Sequence, residues 1–385
     1  MKKIYYGKAV YNNKEINAVI NVLKHESLSL IDGKKLKKLE KLVSKSFGKK
    51  YGLMVNSGSS ANLLVVLALL YSGRLRNKKV IVPAISWVTT VSPAIQLGMT
   101  PILCDADKDD LGLDIEHFEK LCEKHRPALA ILVHVLGHSN KMEKILQICK
   151  KYDILLIEDT CEAYGSEIGG KKLGTFGLAS THSFFYGHAM STIEGGMVTT
   201  NDRELYNIML SLRSHGWLRD NDSDYREETF SKYNMDDAFL ANYYFVFPGL
   251  NIRNTDLSAY IGRNQLKKID TFVANRSNNY NRFIDKLENH VWVQRSNTDP
   301  VSSLAFGIIH ENRIKIAEEL VNNGVECRPL ICGSIQEHPF WYTRYEKVHL
   351  PNATKVHKEG LYVPCHQNLN AEQIDFISKI ILDNV

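Results

Sequence analysis

The chain has 385 residues, more than one hydrophobic core usually serves, so a large domain and a smaller one with a cleft between them are expected. Hydrophobic residues make up 44% and charged residues 24%, an ordinary balance for a globular protein that excludes a largely disordered chain. A formal net charge of +5, carried by scattered basic residues, leaves no footprint for nucleic acid, and no apolar run approaches the length of a membrane span.

The opening segment Met1 to Val10 carries two lysines with no apolar stretch behind them, so no secretory leader is expected. The seven cysteines, Cys104, Cys122, Cys149, Cys161, Cys327, Cys332 and Cys365, fall at irregular spacings without a CxxC pair. A disulfide framework, an iron–sulfur cluster and a metal site are therefore not expected, and a reducing, cytoplasmic compartment is.

In chain order, the lysines at 34, 35, 37, 38 and 41 alternate with Leu36, Leu39 and Leu42 at helical spacing, which predicts an amphipathic helix with a solvated basic face. From about residue 50, short β-branched runs alternate with longer helical stretches, the pattern of an α/β domain. The runs Val80 to Val82, Ile102 to Cys104, Leu129 to Val133, Ile154 to Ile157 and Thr181 to Phe185 are the candidate strands, continuous and apolar as central parallel strands are. After Asp256 longer helices surround weaker strands at Leu304 to Ile309 and Val325 to Arg328, so residues 1–255 are expected to form the large domain and 256–385 the smaller one.

Ligands of open α/β sheets gather beyond the carboxyl ends of the strands, and those ends carry the candidate chemistry here. Asn56-Ser57-Gly58-Ser59-Ser60-Ala61-Asn62 precedes the apolar segment Leu63 to Leu70, a form that suits either a phosphate cradle at a helix start or a simple N-cap. Glu158-Asp159 ends the run before it. A buried carboxylate there needs a partner, either a protonated pyridine nitrogen or a neighbouring loop amide. His188, between Gly187 and the pair Gly195-Gly196, is either a proton-transfer group or a surface residue. Trp87 could stack on a planar ring or pack in the core.

These segments, together with Arg213-Ser214-His215-Gly216 and Pro248-Gly249-Leu250-Asn251-Ile252-Arg253, resemble in order and separation the sugar aminotransferases of fold type I pyridoxal-phosphate (PLP) enzymes, the DegT/DnrJ/EryC1/StrS type. The resemblance covers nearly the whole chain. It implies an aspartate aminotransferase-like fold: a mixed, mainly parallel sheet in the large domain and a smaller C-terminal α+β domain. It implies that Gly58, Ser59 and Ser183 hold the cofactor phosphate, that Asp159 pairs with the pyridine nitrogen, that Trp87 stacks on the ring, and that Asn251 reaches the phosphate of a neighbouring subunit in a homodimer with shared sites.

One departure redirects this reading. Counting back from Gly195-Gly196, the lysine that family members use to tether the cofactor falls on His188, which cannot form that bond. A minority branch, resembling 3-dehydratases of nucleotide-linked keto sugars, carries histidine there, usually doubled; here Ala189 follows. The resemblance then implies non-covalent PLP, converted to pyridoxamine phosphate (PMP) by L-glutamate. It further implies loss of the C3 hydroxyl from a GDP-linked 4-keto-6-deoxy sugar, hexose or heptose, destined for a 3,6-dideoxysugar of O antigen or capsule. Glu162 stands where aminotransferases of the family usually have glutamine, and His215, Arg219 and Arg253 are candidates for the sugar or the donor's carboxylate. The competing readings are a 4-aminotransferase with another base and a cofactor-binding regulator without turnover.

Overall fold

The computed structural model describes residues 3–25, 30, 31, 33–237 and 239–385; Met1 and Lys2 of the opening segment lie outside the described residues. Thirteen strands are described. β1 (Tyr51–Val55), β2 (Lys79–Pro83), β3 (Thr100–Cys104), β4 (Leu129–Val133), β5 (Leu155–Asp159), β8 (Ala179–Ser183) and β9 (Gly196–Thr200) form a seven-stranded sheet in the order β1-β9-β8-β5-β4-β2-β3. The five strands from β8 to β3 are mutually parallel, and β9 runs antiparallel to both its neighbours. A small hairpin, β6 (Glu167–Ile168) with β7 (Lys171–Lys172), follows β5.

A strand lies at each of the predicted central runs, but Thr181 to Phe185 is shifted back to Ala179–Ser183. β2 to β5 are mainly apolar and buried, whereas β8, Ala-Ser-Thr-His-Ser, is polar in sequence and is buried by its place between β9 and β5. The helix Gly58–Tyr71 is apolar around almost its whole circumference, so it is buried rather than amphipathic and packs on β1, β8 and β9. The lysine-bearing helix spans Lys34–Ser46 as expected, with Leu36 and Leu39 fully buried, but Leu42 is 39% exposed. The stripe facing the core is completed by Val43 and by Glu40, whose carboxylate meets the buried Arg213 at 2.9 Å.

A second sheet of β10 (Trp292–Val293), β11 (Ala305–Ile309), β12 (Arg328–Pro329) and β13 (Gly360–Pro364) runs β10-β11-β13-β12, wholly antiparallel. It carries its own core of Phe283, Phe306, Ile308, Val363, Ile374 and Ile377. Of the predicted Val325 to Arg328, only Arg328 lies in a strand; Val325 instead bridges Ile4, so the start of the chain is sewn onto the C-terminal sheet. That return brings Tyr6 beside β13, its ring 6.3 Å from that of Tyr362. Among the described residues no helix is long and apolar enough to cross a membrane.

Candidate active site

The carboxyl ends of β5 and β8, the start of the helix Gly58–Tyr71 and the second sheet enclose a cavity of about 540 Å³. Gly58, Ser59, Trp87, Asp159, Glu162, Ser183 and His188 all line it. At its floor the Ser57 hydroxyl caps the helix, accepting from the Ser60 amide at 3.1 Å, which leaves the Gly58 and Ser59 amides facing the cavity. A methyl group on Gly58 would lie 2.7 Å from Ser183 Cβ and 2.9 Å from Cys161 Sγ, so only glycine lets the helix start approach β8. Gly196 likewise has no room for a side chain against the Ser57 carbonyl, which ties the glycine pair after His188 to the same cradle.

Asp159 is buried at the end of β5 and held from three sides. Its Oδ2 accepts from Asn62 Nδ2 at 2.8 Å and from Thr90 Oγ1 at 2.8 Å, while Oδ1 accepts from the Cys161 amide at 3.0 Å. Asn62 is oriented in turn by Thr181 Oγ1, which donates to Asn62 Oδ1 at 2.6 Å. The neighbouring Glu158 points to the opposite face of the sheet, where His134 and the amides of Gly174, Phe176 and Gly177 satisfy it. Alternation along the strand therefore gives the two acids separate duties.

His188 sits in a loop after β8, its amide donating to the Phe185 carbonyl at 3.0 Å. Its Nδ1 is buried and has no hydrogen-bond partner among the described residues. Burial, reinforced by the nearby Arg276 cation, lowers the imidazole pKa to about 3, so the ring is neutral at physiological pH. Trp87 forms the rim and is 54% exposed, not a core residue. Glu162 accepts one hydrogen bond, from the Leu136 amide at 2.7 Å. Burial, opposed by that amide and reinforced by Asp159, raises its carboxyl to about 8.

His215, Arg219, Asn251 and Arg253 lie together outside this cavity. The Arg213 to Gly216 and Pro248 to Arg253 segments pair directly: Ser214 bridges Asn251, and Gly216 and Gly249 touch backbone to backbone. Arg253 meets His215 Nε2 at 3.3 Å and Asn251 Oδ1 at 3.1 Å, and Arg219 lies over the Trp217 ring at 3.8 Å. The cation that does line the cavity is Arg328 at the start of β12, which stacks on Tyr6 at 3.4 Å and is braced by Glu326 at 2.9 Å. Sequence reasoning missed Arg328, Tyr6 and Tyr362, which come from remote segments and carry no local motif. Among the described residues, no lysine lines the cavity and no group of three or more His, Cys, Asp or Glu is placed to hold a metal ion.

This architecture and motif order define a family: the DegT/DnrJ/EryC1/StrS aminotransferase family model matches residues 10–382, and the chain belongs to it. It is 35% identical over 389 residues to a GDP-4-keto-6-deoxy-D-mannose 3-dehydratase of Escherichia coli O55:H7, covering 97% of this chain and 98% of that one. Among solved structures, it superposes with a TM-score of 0.89, at 32% identity and over 99% of each chain, on an E. coli GDP-4-keto-6-deoxy-D-mannose 3-dehydratase with bound hydrated PLP. It superposes with a TM-score of 0.88, at 32% identity and over 97% of this chain and 99% of the other, on a GDP-4-keto-6-deoxymannose 3-dehydratase with a trapped PLP–glutamate geminal diamine. These likenesses bear out the PLP-aminotransferase fold expected from the sequence.

Proposed function

We propose that this chain is a PLP/PMP- and glutamate-dependent 3-dehydratase that removes the C3 hydroxyl of a GDP-linked 4-keto-6-deoxy sugar. The observation that carries the reading is the cavity wall, where, among the described residues, a neutral histidine stands and no lysine does. A tethered cofactor has nothing to attach to; a proton acceptor is in place. The likeness to relatives named for that reaction supports it.

The residues present fit the cofactor. The Gly58 and Ser59 amides with Ser183 suit its phosphate, the cradle having no room for a Cβ at Gly58. Asp159, with Oδ1 and Oδ2 already fixed by three donors, offers a preset negative charge to a ring nitrogen, and Trp87 offers an aromatic face at the rim. When bound, the cofactor supplies an amine for the sugar ketone and a ring that draws electrons from the adjacent bonds.

His188 takes up a proton beside that ring and returns it when the C3 oxygen departs, a role its neutral form allows. Glu162, protonated at neutral pH, offers a hydrogen-bond donor within the same cavity. Arg328 provides the cation for the donor's carboxylate or the sugar's phosphate. The overall change balances as loss of one sugar oxygen against conversion of glutamate to 2-oxoglutarate and ammonia.

Several further parts belong to this proposal. The chain divides at 255/256 and acts in the cytoplasm. Its surface cluster of Asn251, Arg253, His215 and Arg219 completes the site of a second copy in a homodimer. The product feeds O-antigen or capsule synthesis, with a heptose as well as a hexose admitted as substrate. The test incubates purified protein with PLP, glutamate and GDP-4-keto-6-deoxymannose, then with the heptose counterpart. Ammonia and a sugar about sixteen mass units lighter support the reading, and a stable amino sugar without ammonia overturns it.

A further inference from the structure

A catalytic histidine is normally oriented by a hydrogen bond at the ring nitrogen that does not react. Among the described residues His188 has no such bond at Nδ1, so its aim comes from the backbone that carries it. That backbone is clamped. A Cβ on Gly7 would come within 3.0 Å of Gly187 Cα, and one on Gly187 within 3.0 Å of the Tyr6 hydroxyl, so the N-terminal segment presses on one side.

The same peptide is reached by Arg276, on the helix Ile269–Leu287, whose side chain is completely buried. Among the described residues no carboxylate partners it. Its guanidinium instead donates to Gln367 Oε1 at 2.7 Å, to the Ser303 carbonyl at 2.7 Å and to the Gly187 carbonyl at 3.4 Å. A buried guanidinium without an acid is costly, and the core of the C-terminal sheet would be better served by an apolar residue. Its bonds to Gln367 through Nε and to Ser303 through Nη1 fix it to that sheet's surroundings, and Nη2 is the nitrogen that reaches the peptide before His188.

We propose that Arg276 is a positioning residue for His188, holding the Gly187–His188 peptide by its carbonyl. This rests on the functional reading above, in which His188 moves the proton. It extends the site to a helix that contributes no residue to the cavity lining.

The test is the half-reaction of the full chain with PLP and glutamate, without sugar, followed by 2-oxoglutarate formation. Arg276→Met lowers the rate at least about tenfold while the Kd for PLP and the KM for glutamate stay within about twofold, and Arg276→Lys recovers to within about threefold of wild type. In a His188→Asn background, adding Arg276→Met changes the residual rate by less than about twofold, because a residue acting through another is non-additive with it. Equal proportional losses in both backgrounds, or no loss in either, overturn the proposal. Should Arg276→Met fail to fold, Gln367→Met, which removes the acceptor of Nε, enters the same cycle with a loss of about threefold that must vanish in the His188→Asn background. A wild type that forms no 2-oxoglutarate overturns the functional reading itself, an outcome distinct from an intact half-reaction insensitive to Arg276.

Discussion

The Leu136 amide donates to Glu162 Oε2 at 2.7 Å from a residue whose own φ is 50°. A non-glycine residue in that left-handed conformation is strained, and here the strain presents an amide to a carboxyl group inside the cavity. The carboxyl nevertheless titrates at about 8, because burial outweighs the amide. It is therefore protonated at pH 7 and loses its proton as pH passes about 8. We expect ammonia release to decline on the alkaline side with a midpoint near that value. Glu162→Gln keeps a neutral donor, so it removes this limb and retains activity within about tenfold. The same limb in the variant would assign the titration elsewhere.

Gly58→Ala places a methyl group 2.7 Å from Ser183 Cβ and 2.9 Å from Cys161 Sγ, contacts that require the helix start or β8 to shift. The expected result is a rise in the Kd for PLP of at least about tenfold and a stability loss of about 1–3 kcal/mol, the usual range for overpacking. An absorbance titration and urea unfolding of the cofactor-free protein separate the two effects.

Arg328 lines the cavity with its Nη2 bound to Glu326 at 2.9 Å, whereas Arg219 and Arg253 do not line it. Arg328→Met should raise the KM for glutamate or for the nucleotide sugar about tenfold, with kcat changed less, as expected when a charge-assisted contact to a bound anion is removed. Steady-state kinetics varying each substrate in turn identify which of the two it holds. Unchanged KM values for both would remove Arg328 from substrate binding.

Stability should fall steeply on acidification. Burial lowers the pKa of His138, His182 and His188 to about 3, and burial together with Arg276 lowers that of His366 to about 4. In the unfolded chain these four groups take up protons near pH 6.5, which the folded chain does not, so the stability they contribute is present above that pH and lost below it. Glu162 and Asp110 act oppositely: their folded values of about 8 and about 7 mean that falling pH stabilises the fold through them. Four histidines outnumber two acids. The net loss below pH 6 is about 1.4 kcal/mol per pH unit for each excess proton, read from urea midpoints between about pH 7 and 5. A midpoint independent of pH in this window would contradict the burial of these rings.

Much of the large sheet and half of the site were legible because their signals are local. Continuous apolar runs announce β2 to β5, and the loop residues after them, Asp159 and the Gly58 segment, need only their chain neighbours to be recognised. β1 was missed. Its sequence, Tyr51-Gly52-Leu53-Met54-Val55, becomes a strand by pairing along its length with β9, a partner about 145 residues away that no local preference reveals. β13 is similar, held between β11 and β12. Arg328, Tyr6 and Tyr362 were invisible for the same reason, since each reaches the cavity by a tertiary return of the chain, as does the contact of Arg276 with the Gly187 carbonyl. The motif at 248–253 was legible as a motif, but its position outside the cavity depends on the backbone pairing of Ser214 with Asn251.

The most direct measurement follows the amino nitrogen. With 15N-labelled glutamate, PLP and GDP-4-keto-6-deoxymannose, the account predicts that the label is recovered as free ammonium in equal amount to a nitrogen-free sugar lacking one oxygen, and that His188→Asn abolishes both. Label retained on the sugar, with the C3 oxygen still in place, would contradict it.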